Sequence, residues 1–152
     1  MKDFKSIYTN SKRYEKDIET EILTVLNRYG FFWKVDYAGK LVKGKWYKNP
    51  NPFVIAGMPD VQGIIAGLPP FFFEIKIQTE YNKIINNWDK YKAAPPGVSS
   101  NILRYKRQIE TIEKLRSLGA TAEFVYNLAQ VKSIIEREIK KNDELQSKKD
   151  PK

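Results

Sequence analysis

Two carboxylates and one lysine interrupt an otherwise apolar stretch of the chain, residues 57–78, which reads GMPDVQGIIAGLPPFFFEIKIQ. The charged side chains are those of Asp60, Glu74 and Lys76. A segment that forms only a buried hairpin has little use for them, because a charge removed from water is costly unless it is paired or binds a metal. These three residues are therefore the first candidates for chemistry.

The elements that must position the three residues are two strands, predicted over 61–66 and 71–77 and joined by GLPP. We predict that Ile65 faces Phe71 across the turn. Because side chains alternate between the two faces of a strand, the charged residues then share the face opposite the apolar core, with Asp60 beside the lysine. A register shift of two residues keeps them together, whereas a shift of one separates them and mixes the apolar faces.

This arrangement has a chemical use in phosphodiester hydrolysis. The Asp60 and Glu74 carboxylates, with the carbonyl of Ile75, can bind a divalent cation that polarises a phosphoryl oxygen and lowers the pKa of a bound water. Lys76 can orient that water or stabilise negative charge that develops on the phosphate. The alternative is structural: the same residues form a surface salt bridge on a solvated strand face.

The composition limits which metal ions the site can bind and indicates which class of partner the chain favours. The chain of 152 residues has no histidine and no cysteine, so a metal site must use oxygen ligands, which favours Mg²⁺, Mn²⁺ or Ca²⁺. Lys and Arg number 27 against 18 Asp and Glu, a formal charge of +9 that favours a polyanion such as nucleic acid. Solubility alone is the other explanation of this charge.

The whole chain is consistent with one α/β domain, a mixed sheet flanked by helices. We expect a basic lead-in over 1–13, a domain over 14–141 and a charged flexible tail over 142–152. For residues 79–100 the sequence leaves three alternatives open: a short helix, a loop over the substrate, or a disordered insertion.

No apolar run approaches the ~20 residues that span a bilayer, and no apolar signal core is visible, which predicts a cytoplasmic protein without membrane contact. The other predicted elements are a helix over 14–29, strands over 31–37 and 41–48, a helix over 102–118, a strand over 121–127 and a helix over 129–141.

The motif GMPDVQGIIAG followed by FFFEIKIQ resembles the PD-(D/E)XK nuclease superfamily. Asp60 matches its first acidic residue, and Glu74-Ile75-Lys76 matches its E-x-K. The pattern G-x-P-D-x-x-G-x-x-x-G is more specifically similar to the VRR-NUC family. The matching residues are Gly57, Pro59, Asp60, Gly63 and Gly67.

The resemblance covers residues 15–135 and implies two further site residues. The family has a glutamate that opens its first helix, with apolar residues three, seven and eleven positions later. Glu15 fits that spacing better than Glu19 or Glu21. The family also has a glutamine on a helix after the E-x-K, followed by a glycine and a strand, which corresponds here to Gln108. The resemblance implies that Glu15 completes the metal site or supports its ligands from the side, and that Gln108 positions the lysine, the water or the substrate.

Two basic segments are candidates for DNA contact. Lysine and arginine neutralise phosphates, and aromatic rings stack on unpaired bases. The alternative is a solvated edge strand whose lysines block aggregation. The residues are Lys40, Lys43, Lys45 and Lys48 in YAGKLVKGKWYK, and Arg104, Lys106 and Arg107 in RYKRQ.

The resemblance implies a restriction-endonuclease-like fold and a Mg²⁺- or Mn²⁺-dependent deoxyribonuclease. Small members of the family look like phage or mobile-element proteins that act on branched, flapped or Holliday-junction DNA. Symmetric cutting of a junction needs two sites related by a two-fold axis, so we expect a homodimer. The alternative function is a non-catalytic nucleic-acid-binding module on the same fold.

Overall fold

The structure is a computed structural model that describes residues 4–35, 39–48, 50, 51, 53 and 57–149. Side chains are described for the same residues except 4–14, 39–41, 46 and 48. The elements, in chain order, are α1 (Phe4–Leu26), β1 (Phe31–Lys34), β2 (Gly39–Val42), β3 (Lys45–Lys48), β4 (Val61–Ile64), β5 (Phe71–Ile75), α2 (Gln78–Asn86), α3 (Trp88–Lys92), α4 (Ser100–Ser117), β6 (Thr121–Val125) and α5 (Leu128–Lys149).

The fold is mixed α/β, with a four-stranded mixed sheet flanked by helices, as the apolar pattern predicts. The strand order is β1-β4-β5-β6, antiparallel except for the parallel pair β5–β6. A parallel pair needs a long crossover connection, which α2, α3 and α4 provide between β5 and β6. Strands β2 and β3 form a separate antiparallel hairpin.

Each face of the sheet is covered by its own set of helices. On one face α1 and α5 pack on the alternate apolar residues of the strands, with Ile22, Phe73 and Ile135 at the centre. On the other face α2, α3 and α4 cover β6 through a second cluster that includes Ile109 and Phe124. The second cluster is the important one for function, because it lies on the strand face that carries the charged residues of the hairpin.

The two outer helices are longer than the sequence pattern predicts. The expected lead-in over 1–13 is helical from Phe4, and the expected flexible tail is helical through Lys149. The chain has no glycine or proline before Gly30, and none between the start of α5 and Pro151. Each helix therefore continues past its last apolar residue. Within the described residues, no helix is long and apolar enough to cross a membrane.

The prediction for residues 41–48, a single strand or arm, needs correction. These residues belong to the β2–β3 hairpin, because Lys43 and Gly44 both take positive φ, at 48° and 79°, and reverse the chain.

Of the three alternatives for residues 79–100, the helical one is confirmed up to Lys92, with two short helices in place of one. These helices, α2 and α3, pack through Ile84 and Tyr91 into the second cluster.

The hairpin register also differs from the expected one. Gly63, not Ile65, is the Cα partner of Phe71, so the ladder is shifted by two residues. Pro69 and Pro70 have no N–H group and cannot extend the ladder towards the turn. The parity is unchanged, and continuation of this register puts Asp60 opposite Glu74 instead of opposite the lysine.

Gly63 gives the fold a testable packing constraint. A Cβ atom at this position would lie 2.1 Å from a ring carbon of Phe32, which is buried in the core. We expect Gly63→Ala to lower the free energy of unfolding by about 1–3 kcal/mol, because the ring must move in a packed core. Denaturant unfolding measures this loss. Gln62→Ala, on the opposite face, is the matched control, and equal stability of the two variants would contradict the prediction.

Candidate active site

The turn before β4 holds Asp60 against the rest of the site. Gly57 has φ 87°, and a Cβ atom there would lie 3.2 Å from the carbonyl carbon of Arg107, so only glycine lets this turn approach α4 so closely. On the other side the N–H of Val35 donates to the carbonyl oxygen of Asp60 at 2.8 Å. The turn is therefore anchored both to the strand β1 and to the helix that covers the site.

Asp60 and Glu74 are joined by reciprocal hydrogen bonds through the main chain. The N–H of Asp60 donates to Oε2 of Glu74 at 3.2 Å, and the N–H of Ile75 donates to Oδ2 of Asp60 at 3.1 Å. Each carboxylate thus accepts a main-chain hydrogen bond from the other strand or its extension. These bonds fix the two carboxyl groups side by side at the end of the hairpin ladder.

Helix α4 closes over Glu74 and removes it from solvent, whereas Asp60 stays partly exposed. Nε2 of Gln108 donates to Oε1 of Glu74 at 2.9 Å, and Nζ of Lys76 lies 3.4 Å from the same oxygen. Relative exposure is 4% for Glu74, 5% for Lys76 and 8% for Gln108. An exposed salt bridge is therefore the wrong interpretation of these residues, and Gln108 contacts the hairpin carboxylate from a position 34 residues away in sequence.

Two residues that sequence reasoning missed also belong to this environment. The ring of Tyr105 lies 5.7 Å from Nζ of Lys76, and its hydroxyl donates to Oε1 of Glu80 at 2.6 Å. An ammonium beside the face of an aromatic ring is stabilised by the ring quadrupole. Tyr105 precedes Gln108 by three residues, which is one helical face, so that spacing was the available signal.

Helix α1 brings two glutamates to the site. Burial raises the pKa of the Glu15 carboxyl. The positive charge of Lys76 lowers this pKa, and the negative charge of Asp60 raises it. These charge effects place Glu15 within electrostatic range of Lys76 and Asp60. Glu19 also acts on Asp60, but its carboxylate is bound to Nζ of Lys34 at 2.9 Å. Glu21, the third candidate, is exposed to solvent.

The site carries more buried acid than its lysine can neutralise. Burial raises the pKa of Glu74 well above its ordinary value of 4.5, the Asp60 carboxyl raises it further, and Lys76 opposes both. Burial also raises the pKa of Asp60, against the hydrogen bond from Ile75 and the charge of Lys76. Three carboxyl groups with raised pKa values around one ammonium form an environment that a further cation would stabilise.

The side chains of the site supply oxygen atoms, which are the ligands that Mg²⁺ and Mn²⁺ prefer. Asp60 and Glu74 supply carboxylate oxygens, and Oε1 of Gln108 is buried with no hydrogen-bond partner among the described residues. Such an oxygen is satisfied by a water or an ion in the site. Within the described part of the chain, no group of three or more Asp, Glu, His or Cys side chains is arranged to hold a metal. A metal here would need main-chain oxygen or water in addition to the two carboxylates.

The basic residues expected to contact DNA differ in their exposure and in their partners. Lys43, Lys45 and Arg107 are exposed. Arg104 pairs with Glu80 at 3.2 Å, whereas Lys106 donates to the carbonyl of Ala94 at 2.8 Å. The side chains of Lys40 and Lys48 lie outside the described residues.

The sequence interpretation and the geometry therefore agree on which residues meet. Asp60, Glu74, Lys76 and Gln108 are in direct contact, and Glu15 on α1 lies within electrostatic range of Lys76 and Asp60. Comparison of the chain with protein-family models, with curated proteins and with solved structures gave no match.

Proposed function

We propose that the protein is a metal-dependent deoxyribonuclease on a restriction-endonuclease-like fold. The observation that carries the proposal is the contact of the partly buried Asp60 with the buried Glu74 and Lys76 at the end of the hairpin, where α4 covers Glu74. A hairpin in a purely structural role does not need two adjacent carboxylates and an ammonium largely removed from water. The motif resemblance to the VRR-NUC family supports the same proposal.

The residues of the chain would divide the work as follows. Asp60 and Glu74, with the carbonyl of Ile75, would hold Mg²⁺ or Mn²⁺, which would supply Lewis-acid activation of a phosphate and its attacking water. Lys76 provides positive charge where the phosphate gains negative charge. Gln108 holds the carboxylate of Glu74 in one orientation. Glu15 would add negative charge beside the ligands from α1 without acting as a third ligand, and it is favoured over Glu19 because Glu19 already has Lys34 as its partner.

DNA is the substrate that the charge of the chain favours, with its net +9. Lys43 and Lys45 on the β2–β3 hairpin, and Arg107 beside the turn at Gly57, are exposed and suited to phosphate contact. Arg104 and Lys106 have internal partners, so we assign them first to holding α4 against α2 and the loop after α3.

Incubation of labelled DNA with the purified protein tests the proposal. We expect cleavage with Mn²⁺ or Mg²⁺ and none with a chelator. Ca²⁺ should support binding without efficient cleavage, because its longer and looser coordination places the attacking water poorly. Binding without cleavage under every metal condition would support the non-catalytic module instead, and cleavage that survives the chelator would exclude the metal mechanism.

One such site activates one water against one phosphate, so symmetric cutting of a branched substrate requires two copies of the chain. We therefore propose a homodimer that prefers branched DNA to linear duplex. Light scattering gives the mass, and a panel of single-strand, flap, nicked and four-way junction substrates gives the preference. A monomer that cuts linear duplex as fast as junctions would eliminate this part of the proposal alone.

A further inference from the structure

Three large apolar side chains are exposed together on β1 and β4. Relative exposure is 69% for Phe31, 37% for Trp33 and 54% for Ile64. Phe31 and Ile64 are Cα partners across the two strands, and the rings of Phe31 and Trp33 have centroids 5.5 Å apart at an interplanar angle of 43°. We call these three residues the aromatic shelf.

The aromatic shelf lies on the same face of the sheet as the candidate active site. Phe32 is buried in the first core cluster, and its ring covers Gly63. Because side chains alternate, Phe31 and Trp33 project from the opposite face. Glu74 projects from that face too, since its neighbour Phe73 belongs to the same core as Phe32. The helices α2, α3 and α4 cover this face over β6, and the shelf is the part over β1 and β4 that stays open.

The spacing between the shelf and the site matches a nucleic-acid strand. Trp33 is the Cα partner of Gln62, which is two residues from Asp60 along the chain. Two residues of strand are about 7 Å, and neighbouring strands are about 5 Å apart, so the main chains of Trp33 and Asp60 are about 8 Å apart. A stacked strand rises about 3.4 Å per nucleotide and an unstacked strand rises more, so this distance corresponds to at most two or three nucleotides.

We propose that the aromatic shelf binds unpaired bases of a DNA strand whose phosphate lies at the Asp60–Glu74 pair. Aromatic rings provide stacking platforms for bases without regard to sequence, and the net charge of +9 favours a polyanion as the molecule that occupies this surface. The inference rests on the proposed nuclease function and makes its substrate more specific. The enzyme acts near a junction between duplex and single strand, where bases are unstacked.

Binding with Ca²⁺ in place of Mg²⁺ or Mn²⁺ tests the shelf without efficient cleavage. Fluorescence anisotropy is measured with a blunt duplex and with the same duplex extended by a single-stranded 5′ or 3′ tail. We expect Phe31→Leu and Trp33→Leu each to weaken binding of a tailed duplex by about 5- to 150-fold, and to leave binding of the blunt duplex unchanged. Leucine keeps the apolar surface but has no π-face, so the loss measures stacking. Trp33→Phe keeps a ring and should retain most of the affinity.

The controls distinguish base binding by the aromatic shelf from a folding defect, from a role in dimerisation and from the nuclease activity. Leu118→Ala removes another exposed apolar side chain, at the end of α4, and should change neither affinity. Unchanged affinity of the leucine variants for tailed DNA, or an equal loss with both DNAs, would overturn the proposal. A fall in mass by light scattering together with unchanged affinity would identify the shelf as a subunit interface instead. If the wild-type protein fails to cut DNA with Mn²⁺ but the leucine variants lose tailed binding, the nuclease proposal fails and the shelf stands.

Discussion

Glu74→Gln is expected to abolish metal-dependent DNA cleavage while the metal-free protein keeps its fold. Glutamine has the shape of glutamate but is a far poorer ligand for a divalent cation, because it carries no charge. Loss of the metal removes several kcal/mol of charge stabilisation from the transition state, which is at least about 10³-fold in rate. The addition of Mn²⁺ should raise the melting temperature of the wild type and not that of the variant.

The stability of the metal-free protein gives this prediction a second readout, in its dependence on pH. Burial raises the pKa of Glu74 in the folded state well above 4.5, so between 4.5 and that raised value the folded protein holds a proton that the unfolded chain releases. The folded state is therefore favoured fully below pH 4.5, and this contribution is lost as pH rises through the folded pKa. Glu74→Gln does not titrate, so its free energy of unfolding should fall less across this window.

Glu113→Gln is the matched control for Glu74→Gln. Glu113 accepts hydrogen bonds from Lys92 and Trp88, and these partners lower its pKa, the opposite of the shift at Glu74. Its carboxylate lies on α4 outside the site, so cleavage and the Mn²⁺ effect on melting should match the wild type. Near-normal cleavage by Glu74→Gln, with Glu113→Gln unchanged, would remove Glu74 from the mechanism.

Lys76→Met is expected to reduce the turnover rate on the order of 10²- to 10³-fold, the range for loss of one positioned group that stabilises transition-state charge. Methionine keeps most of the apolar stem of lysine and fills the space against Tyr105, so the fold is retained. Without the ammonium, the pKa values of Glu74 and Asp60 should rise further, because Lys76 lowers both. Metal binding requires deprotonated carboxylates, so half-maximal Mn²⁺ binding should move to higher pH.

Turnover at saturating Mn²⁺ and metal affinity, each measured across neutral and alkaline pH, separate these two effects of Lys76. Lys92→Met is the control, because the ammonium of Lys92 lies 2.6 Å from Glu113 in an exposed pair that contributes little to stability. If Lys76→Met recovers full turnover once the metal is saturating, the lysine acts only on the ligands. That result would exclude a role in the chemical step.

Much of the local structure follows from sequence alone, because each signal is contained in a few neighbouring residues. Ser99 caps α4 by accepting a hydrogen bond from the N–H of Ile102, and Gly119 follows the helix at φ 92°. Alternation along the hairpin separates the apolar face from the charged one, and this parity survives the shift in register. The composition, without histidine or cysteine, limits any metal site to oxygen ligands.

Other features depend on contacts between distant segments, and the sequence pattern does not contain them. Periodicity shows that Tyr105 and Gln108 share a face of a helix, but not that this face covers Glu74. The predicted outer ends of α1 and α5 were wrong, because the prediction ended each helix with its apolar face. A helix continues past its last apolar residue as long as no residue breaks it.

The amino-acid sequence by itself determined that two carboxylates and a lysine share one strand face, since side-chain alternation is a local property of extended backbone. Only the tertiary structure decided that this face is buried, that Gln108 supplies its hydrogen bond, and that Phe31 and Trp33 stay open beside it. The reason is physical: a pattern defines which side of an element is apolar, whereas the packing of helices on the sheet decides which polar groups lose their water. The raised pKa values of Glu74 and Asp60 are a consequence of that packing.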